Sequence, residues 1–221
     1  MVATISADIV RSSSLSTEDL IVLRKSLLDL FQSFEKVYPG FWARIVRGDS
    51  IECFVPEYRS SLRIALLVKL CVKMQVSGFD CSDLLKRHGI RFAIGLADID
   101  CADKEADILN GPAIWLSGRS LDQISRKGTF YSAMELGKAT GSVSDLLDSY
   151  VAMLSNMVDA FSVKQAEVVF YKLLGLKEVE IAERLGIFQS AVNARSTSAQ
   201  WSLLGRAVKD FEAFDFEGIC G

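Results

Sequence analysis

The sequence predicts an α+β protein. A core of order β-α-β-β-α-β-α-β spans residues 1–135, residues 136–161 form a linker and a connecting helix, and residues 162–221 form an all-helical module. Three observations carry this. Apolar runs of strand length alternate with stretches of helical spacing in the first part of the chain. The strand signal stops after it. Residues 180–192 then show the spacing of two short helices meeting at a glycine.

Residues 2–9 are a short apolar run interrupted by Asp8, which reads as a buried central strand. Ser16-Thr17-Glu18-Asp19 caps the following helix and sets two carboxylates in its first turn, where the helix dipole favours them. Leu20, Leu23, Leu27, Leu30, Phe31 and Phe34 give that helix one apolar face, and Pro39-Gly40 ends it. Residues 41–46 and 51–55 are strand-like and joined through Gly48-Asp49, a hairpin signal. Residues 60–76 read as a second helix closed by Ser77-Gly78, and residues 90–96 as a strand. Residues 98–110 read as a polar loop rich in acids. Pro112 opens a third helix running to about Ile124, and Lys127-Gly128 turns into a strand at 129–133. Gly137 and Gly141 mark the linker at 136–143, and a helix covers 144–160. This order is that of a ferredoxin-like core with an added helix and strand.

The bulk composition narrows the function classes. Half of the 221 residues are hydrophobic and 24% are charged, enough for a well-buried core. The longest apolar region, residues 62–76, is broken by Arg63, Lys69 and Lys73, which suits a buried amphipathic helix and not a membrane span. Residues 1–10 lack the basic stretch of a signal peptide. The five cysteines show no CxxC pair and no even framework, which favours a reducing cytoplasm. With His88 as the one histidine, a His-based zinc site is excluded. A net charge of −3 gives no general attraction to nucleic acid, so contact with DNA requires a local patch.

Four segments of the first part carry chemistry. They are 6–12 (SADIVRS), 47–50 (RGDS), 91–96 (RFAIGL) and 111–119 (GPAIWLSGR). Asp8 at the end of a buried strand is costly unless it is paired or bound to a cation, and Asp49 sits in the hairpin turn. One reading makes them a pair that grips a metal; the other makes Asp8 a loop cap and Asp49 an ordinary turn residue. Taken together, the segments resemble the catalytic core of class III nucleotidyl cyclases. The resemblance implies that Asp8 and Asp49 hold Mg or Mn, and that the backbone amides of Ile9, Val10, Arg11, Ser12 and Ser13 face the phosphates of a nucleotide. It also implies that Arg119 serves the transition state. Trp115 stands where that family carries a catalytic Asn, and Ile45 where it carries a purine-selecting residue. Trp115 then either packs or offers a stacking platform to a base, and Arg119 either meets phosphate or lies on a solvated face.

In the tail, 180–192 (EIAERLGIFQSAV) resembles the helix-turn-helix of sigma-factor region four and response regulators. Ile181, Ala182 and Leu185 should pack inward, Gly186 permits the turn, and Val192 anchors the next helix from beneath. The outward groups at the start of that helix would be Gln189, Ser190, Asn193 and Arg195, residue types that read adenine and guanine edges in a major groove. Residues 162–221 hold seven basic and eight acidic side chains, so the alternative is a helical bundle that docks on protein. The chain as a whole resembles the bacterial SatD-like family, which pairs the Gly-Pro-Ala-x-Trp helix start at Gly111 with a C-terminal helix-turn-helix.

The expectation is therefore a cytoplasmic, homodimeric DNA-binding regulator with a degenerate nucleotide- or metal-binding domain. The rivals are a metal-dependent phosphoryl-transfer enzyme using Asp8, Asp49 and Arg119, and an interaction protein with neither activity.

Overall fold

The computed structural model describes residues 1–10, 12–46, 48–76, 89–126, 132–137 and 142–220. In chain order the elements are β1 (Val2–Ile9), α1 (Thr17–Val37), β2 (Trp42–Val46), β3 (Ser50–Val55), α2 (Ser61–Val76), β4 (Ile90–Ala97), β5 (Cys101–Asp103), β6 (Ile108–Asn110), α3 (Pro112–Arg126) and β7 (Ala133–Leu136). The helices α4 (Ser142–Asp159), α5 (Val163–Leu173), α6 (Glu178–Leu185), α7 (Gln189–Ser198), α8 (Trp201–Ala213) and α9 (Glu217–Cys220) follow.

One sheet organises the first part, in the order β2-β3-β1-β4-β7. β1 runs antiparallel to both β3 and β4, and β7 lies parallel to β4. Alternation along β1 sorts its side chains between two faces. Ala3, Ile5, Ala7 and Ile9 join the apolar core with Leu23, Leu27 and Phe34 of α1. On the opposite face Thr4 and Ser6 lie beneath α3, where both hydroxyls hydrogen-bond Ser117 Oγ, at 3.0 and 2.8 Å. Gly95 lets α3 come down this close: a Cβ there would stand 2.3 Å from the Ala113 carbonyl oxygen.

α2 departs from the amphipathic helix expected. Leu62, Ile64, Leu66, Leu67, Leu70 and Val72 are all fully buried, because α1 and the sheet cover one side while α4, α5 and α8 cover the other. Its three basic residues, which suggested a solvated stripe, instead reach into the helical tail. Arg63 makes a bidentate pair with Glu212 on α8 at 2.6 and 2.9 Å and donates to the Leu173 carbonyl. Lys69 donates to the Ile90 carbonyl at 2.7 Å and pairs with Asp159 at 2.8 Å. Lys73 donates to the Asp159 carbonyl at 2.8 Å. Burial holds the Lys69 ammonium below its ordinary range, opposed by the Asp159 carboxylate, and burial raises the Asp159 carboxyl in turn.

Two further differences have local causes. The expected loop at 98–110 contains an antiparallel hairpin, β5–β6, paired from Cys101↔Asn110 to Asp103↔Ile108. Of its six strand residues only Leu109 is buried, so no apolar alternation announces it. Asp103 Oδ1 accepts the amides of Glu105 and Ala106 and orders the turn. Arg44 of β2 grips Asp107 at 2.9 Å, and Lys104 pairs with Glu35 of α1 at 2.7 Å. The last strand, expected at 129–133, is described as Ala133–Leu136, while 129–131 fall outside the described residues. Met134 and Leu136 point into the core, and this alternation decides its position. The third tail helix ends at Ser198, because Gln200 is left-handed (φ 53°) and α8 starts anew at Trp201.

Among the described residues no helix is long and apolar enough to cross a membrane. Two outcomes test the packing. Lys69→Met should cost about 3–5 kcal/mol in urea unfolding, the usual loss when one partner of a buried pair is removed, and adding Asp159→Asn should recover part of it. Alkylation of the native protein should label exposed Cys101 and spare buried Cys53 and Cys71, whose thiols burial pushes up, that of Cys71 to about 12.

Candidate functional sites

Asp8 is the penultimate residue of β1, and its register partners are Ser50 on β3 and Arg91 on β4. Because Asp49 immediately precedes Ser50, the two aspartates meet at the same end of the sheet. Each carboxylate already has a protein partner. Arg91 donates twice to Asp8 Oδ2, at 2.7 and 3.2 Å, and Ser12 Oγ donates to Asp49 Oδ2 at 2.6 Å. The sequence placed Arg91 in one of the four segments without a role; antiparallel pairing of the first and fourth strands puts it directly opposite Asp8. A cation shared by the two aspartates would compete with that guanidinium for the Asp8 carboxylate. Among the described residues no group of three His, Cys, Asp or Glu side chains could hold a metal by itself, so Mg or Mn would depend on phosphate oxygens for further ligands.

The backbone cradle expected for a phosphate is narrower than anticipated. The Ile9 amide donates to the Asp49 carbonyl at 3.1 Å, and the Val10 amide donates to the Gly89 carbonyl at 3.3 Å. These two amides hold the strand end to the hairpin and to the start of β4, which removes them from any ligand. Ser12 and Ser13 remain, and Arg11 lies outside the described residues, as does His88.

On α3, Trp115 is 53% exposed, and its indole N–H donates to Asn110 Oδ1 at 3.2 Å. This fixes the ring at the surface beside the β5–β6 hairpin. Arg119 is exposed, one helical turn further along α3. Ile45, at the position that would select a purine, packs against the apolar core and presents no polar group.

The tail forms a second site. α5 opens on a capping box made by Ser162 and Gln165. Val168 of α5, Ile181 and Ala182 of α6 and Val192 of α7 form a small separate core, with Leu185 and Ile187 at its edge. Gly186 takes the left-handed conformation (φ 63°) that turns α6 into α7. Gln189, Ser190 and Asn193 are exposed, as the spacing requires. Nearby, Lys172 donates to the Glu178 carboxylate at 2.7 Å and above all holds it below its ordinary range. Arg195 differs from its expected outward position: it turns back toward Glu167 of α5 at 3.5 Å, with 22% of its side chain exposed. Phe188, which sequence reasoning passed over, is 86% exposed at the N-cap of α7. It borders a shallow groove lined by Val179, Ala182, Gly186 and Ile187.

No family model matches this chain, and no curated protein does. Among solved structures it is similar to a bacterial light-regulated adenylyl cyclase, at 13% identity and a TM-score of 0.37, with 61% of this chain and 74% of that chain covered.

The charge balance around Asp8 generates a prediction. Asp8→Asn should lower stability by about 1–3 kcal/mol, because Arg91 loses a charged hydrogen-bond acceptor. Arg91→Gln should also destabilise, and in that variant Mn2+ should restore part of the lost thermal stability by binding the folded state. The parent protein should gain less from the same Mn2+ concentration. Equal gains in both would show that Arg91 does not compete for the carboxylate.

Proposed function

We propose that this protein is a DNA-binding regulator. Its C-terminal helix-turn-helix reads the major groove, and its N-terminal half, a ferredoxin-like core of nucleotidyl-cyclase type, holds that module in place. The reading rests on one observation above the others: Ser190 and Asn193 are exposed at the start of α7 while Val192 between them is fully buried. That division gives an outward polar edge on a helix anchored from below, the arrangement by which a recognition helix presents side chains to base edges. The bidentate Arg63–Glu212 pair and the Lys69–Asp159 pair favour a rigidly presented module over one carried on a flexible tether.

The module carries little net charge, so two copies engaging adjacent half-sites would supply the affinity that one lacks. The working species in this reading is a homodimer. The second reading is metal-dependent phosphoryl transfer with Asp8, Asp49 and Arg119. What favours it is that both aspartates stand at one end of the sheet. The pairing of Asp8 with Arg91 and the use of the Ile9 and Val10 amides by neighbouring backbone weigh against it. A nucleotide bound near Ser12, Ser13 and Trp115 without turnover is compatible with the regulator reading.

Binding to a random-sequence duplex library, followed by recovery and sequencing, tests the proposal. Asn193→Ala should flatten the recovered sequence preference by about 1–3 kcal/mol at one position and leave the salt dependence unchanged, since an amide displaces no counterion. Recovery of no preferred sequence by the parent protein, at low salt and tens of micromolar protein (an order-of-magnitude choice that populates weak complexes), would remove the reading.

A further inference from the structure

Phe188 lies in the α6–α7 turn with a backbone carbonyl that starts α7 and a side chain that serves neither helix. It occupies the N-cap of α7, where a side-chain oxygen normally accepts an orphan amide, and it makes no cap hydrogen bond. It is 86% exposed, more than any other large apolar residue among the described residues. The small core beneath it is complete without it, being built from Val168, Ile181, Ala182 and Val192. A serine here would cap the helix and remove the exposed ring. Phe188 thus weakens its own helix start and leaves a large apolar surface in water, at the tip that carries Ser190 and Asn193.

We infer that Phe188 is a specificity residue that contacts the 5-methyl group of thymine, beside an adenine read by Asn193. This inference rests on the DNA-binding reading above and deepens it. The chemistry comes from the pairing of residue types at one helix end. In the major groove thymine differs from cytosine and from uracil by an apolar methyl that an aromatic ring can cover, while an Asn amide matches the donor and acceptor of adenine. The Asn193 amide makes no hydrogen bond to any described residue, so it is available for that pairing. Arg195, drawn to Glu167, is less free, so discrimination falls to the uncharged side chains at this helix end, Phe188 and Asn193 among them. The first turn of α7 carries no acid, so nothing there repels the groove edge. The site selected should therefore be rich in A·T pairs where α7 enters.

The experiment uses the full chain and two random-sequence duplex libraries of one design, one synthesised with thymine and the other with uracil. The parent protein should hold the thymine library about fourfold tighter per contact, the amount a buried methyl contributes, and its recovered sites should be enriched in A·T pairs. Phe188→Ser should bind both libraries equally while its melting temperature rises, because serine caps α7; this keeps a folding defect from imitating the result. Equal binding of the two libraries by the parent protein would overturn the inference while leaving the DNA reading intact. Discrimination retained by Phe188→Ser would overturn it as well. If neither library is bound by any form, the DNA reading itself fails. If, in addition, sedimentation shows association of the parent protein that Phe188→Ser abolishes, the ring belongs to a protein contact.

Discussion

Everything in this molecule hangs on α2 being buried on every side. A helix with apolar residues all round cannot end a domain, because either face would otherwise meet water. The sheet and α1 cover one half, and the helical tail must cover the other. This converts two sequence regions of different character into one continuous core, running from Ile5 and Phe92 through Leu66 to Val169 and Val208. Lys69 is the most constrained group in that arrangement, 2% exposed and held between a β4 carbonyl and Asp159 at the end of α4. A buried ammonium tolerates few geometries, so the pair fixes where α4 ends and hence where α5, α6 and α7 point.

The opposite face of the sheet is organised by polar groups. Thr4 and Ser6 satisfy Ser117 within a buried contact, and Gly95 allows the backbone of α3 to approach it. Such a network is specific because an unpaired hydroxyl there would be costly. It sets the rotation of α3 and therefore holds Trp115 and Arg119 at the surface. At the end of the same stripe Asp8 would be an isolated charge, and Arg91 neutralises it. The charges of the stripe are thus balanced within the protein.

Much of the fold was legible in the sequence, and what was not had physical reasons. The strand and helix series of the first part could be read because Ile5, Leu27, Phe34 and Ile94 repeat at the periods of their elements. The β5–β6 hairpin was hidden because it buries almost nothing, and hydrophobic period is the main signal a sequence offers. α2 was half legible: Arg63, Lys69 and Lys73 look like a solvated stripe until their partners, Glu212 and Asp159, are known to lie about 90 to 150 residues away. The candidate site followed the same rule. Asp8 and Asp49 could be found by motif, and Asn193 by spacing. Arg91 needed strand register, and Arg195 needed knowledge that Glu167 lies across from it. Phe188 was visible as a residue but silent as a signal, since an aromatic is normally assigned to a core.

The electrostatics of the tail bear directly on the proposed DNA reading. Its acids outnumber its bases by one, eight against seven, yet several of them are engaged within the protein. Glu212 is paired with Arg63, Glu178 with Lys172 and Glu167 with Arg195, while Glu180 caps the start of α6 through the Lys177 amide. The same pairings occupy two of its seven cations, Lys172 and Arg195. In the proposed DNA reading, a module whose charges nearly cancel would release few counterions, so its discrimination would come chiefly from uncharged groups at base edges. In that reading the module would be weak alone and selective in pairs. A rigid scaffold that fixes the spacing of two copies would then contribute as much to recognition as the residues that touch the DNA.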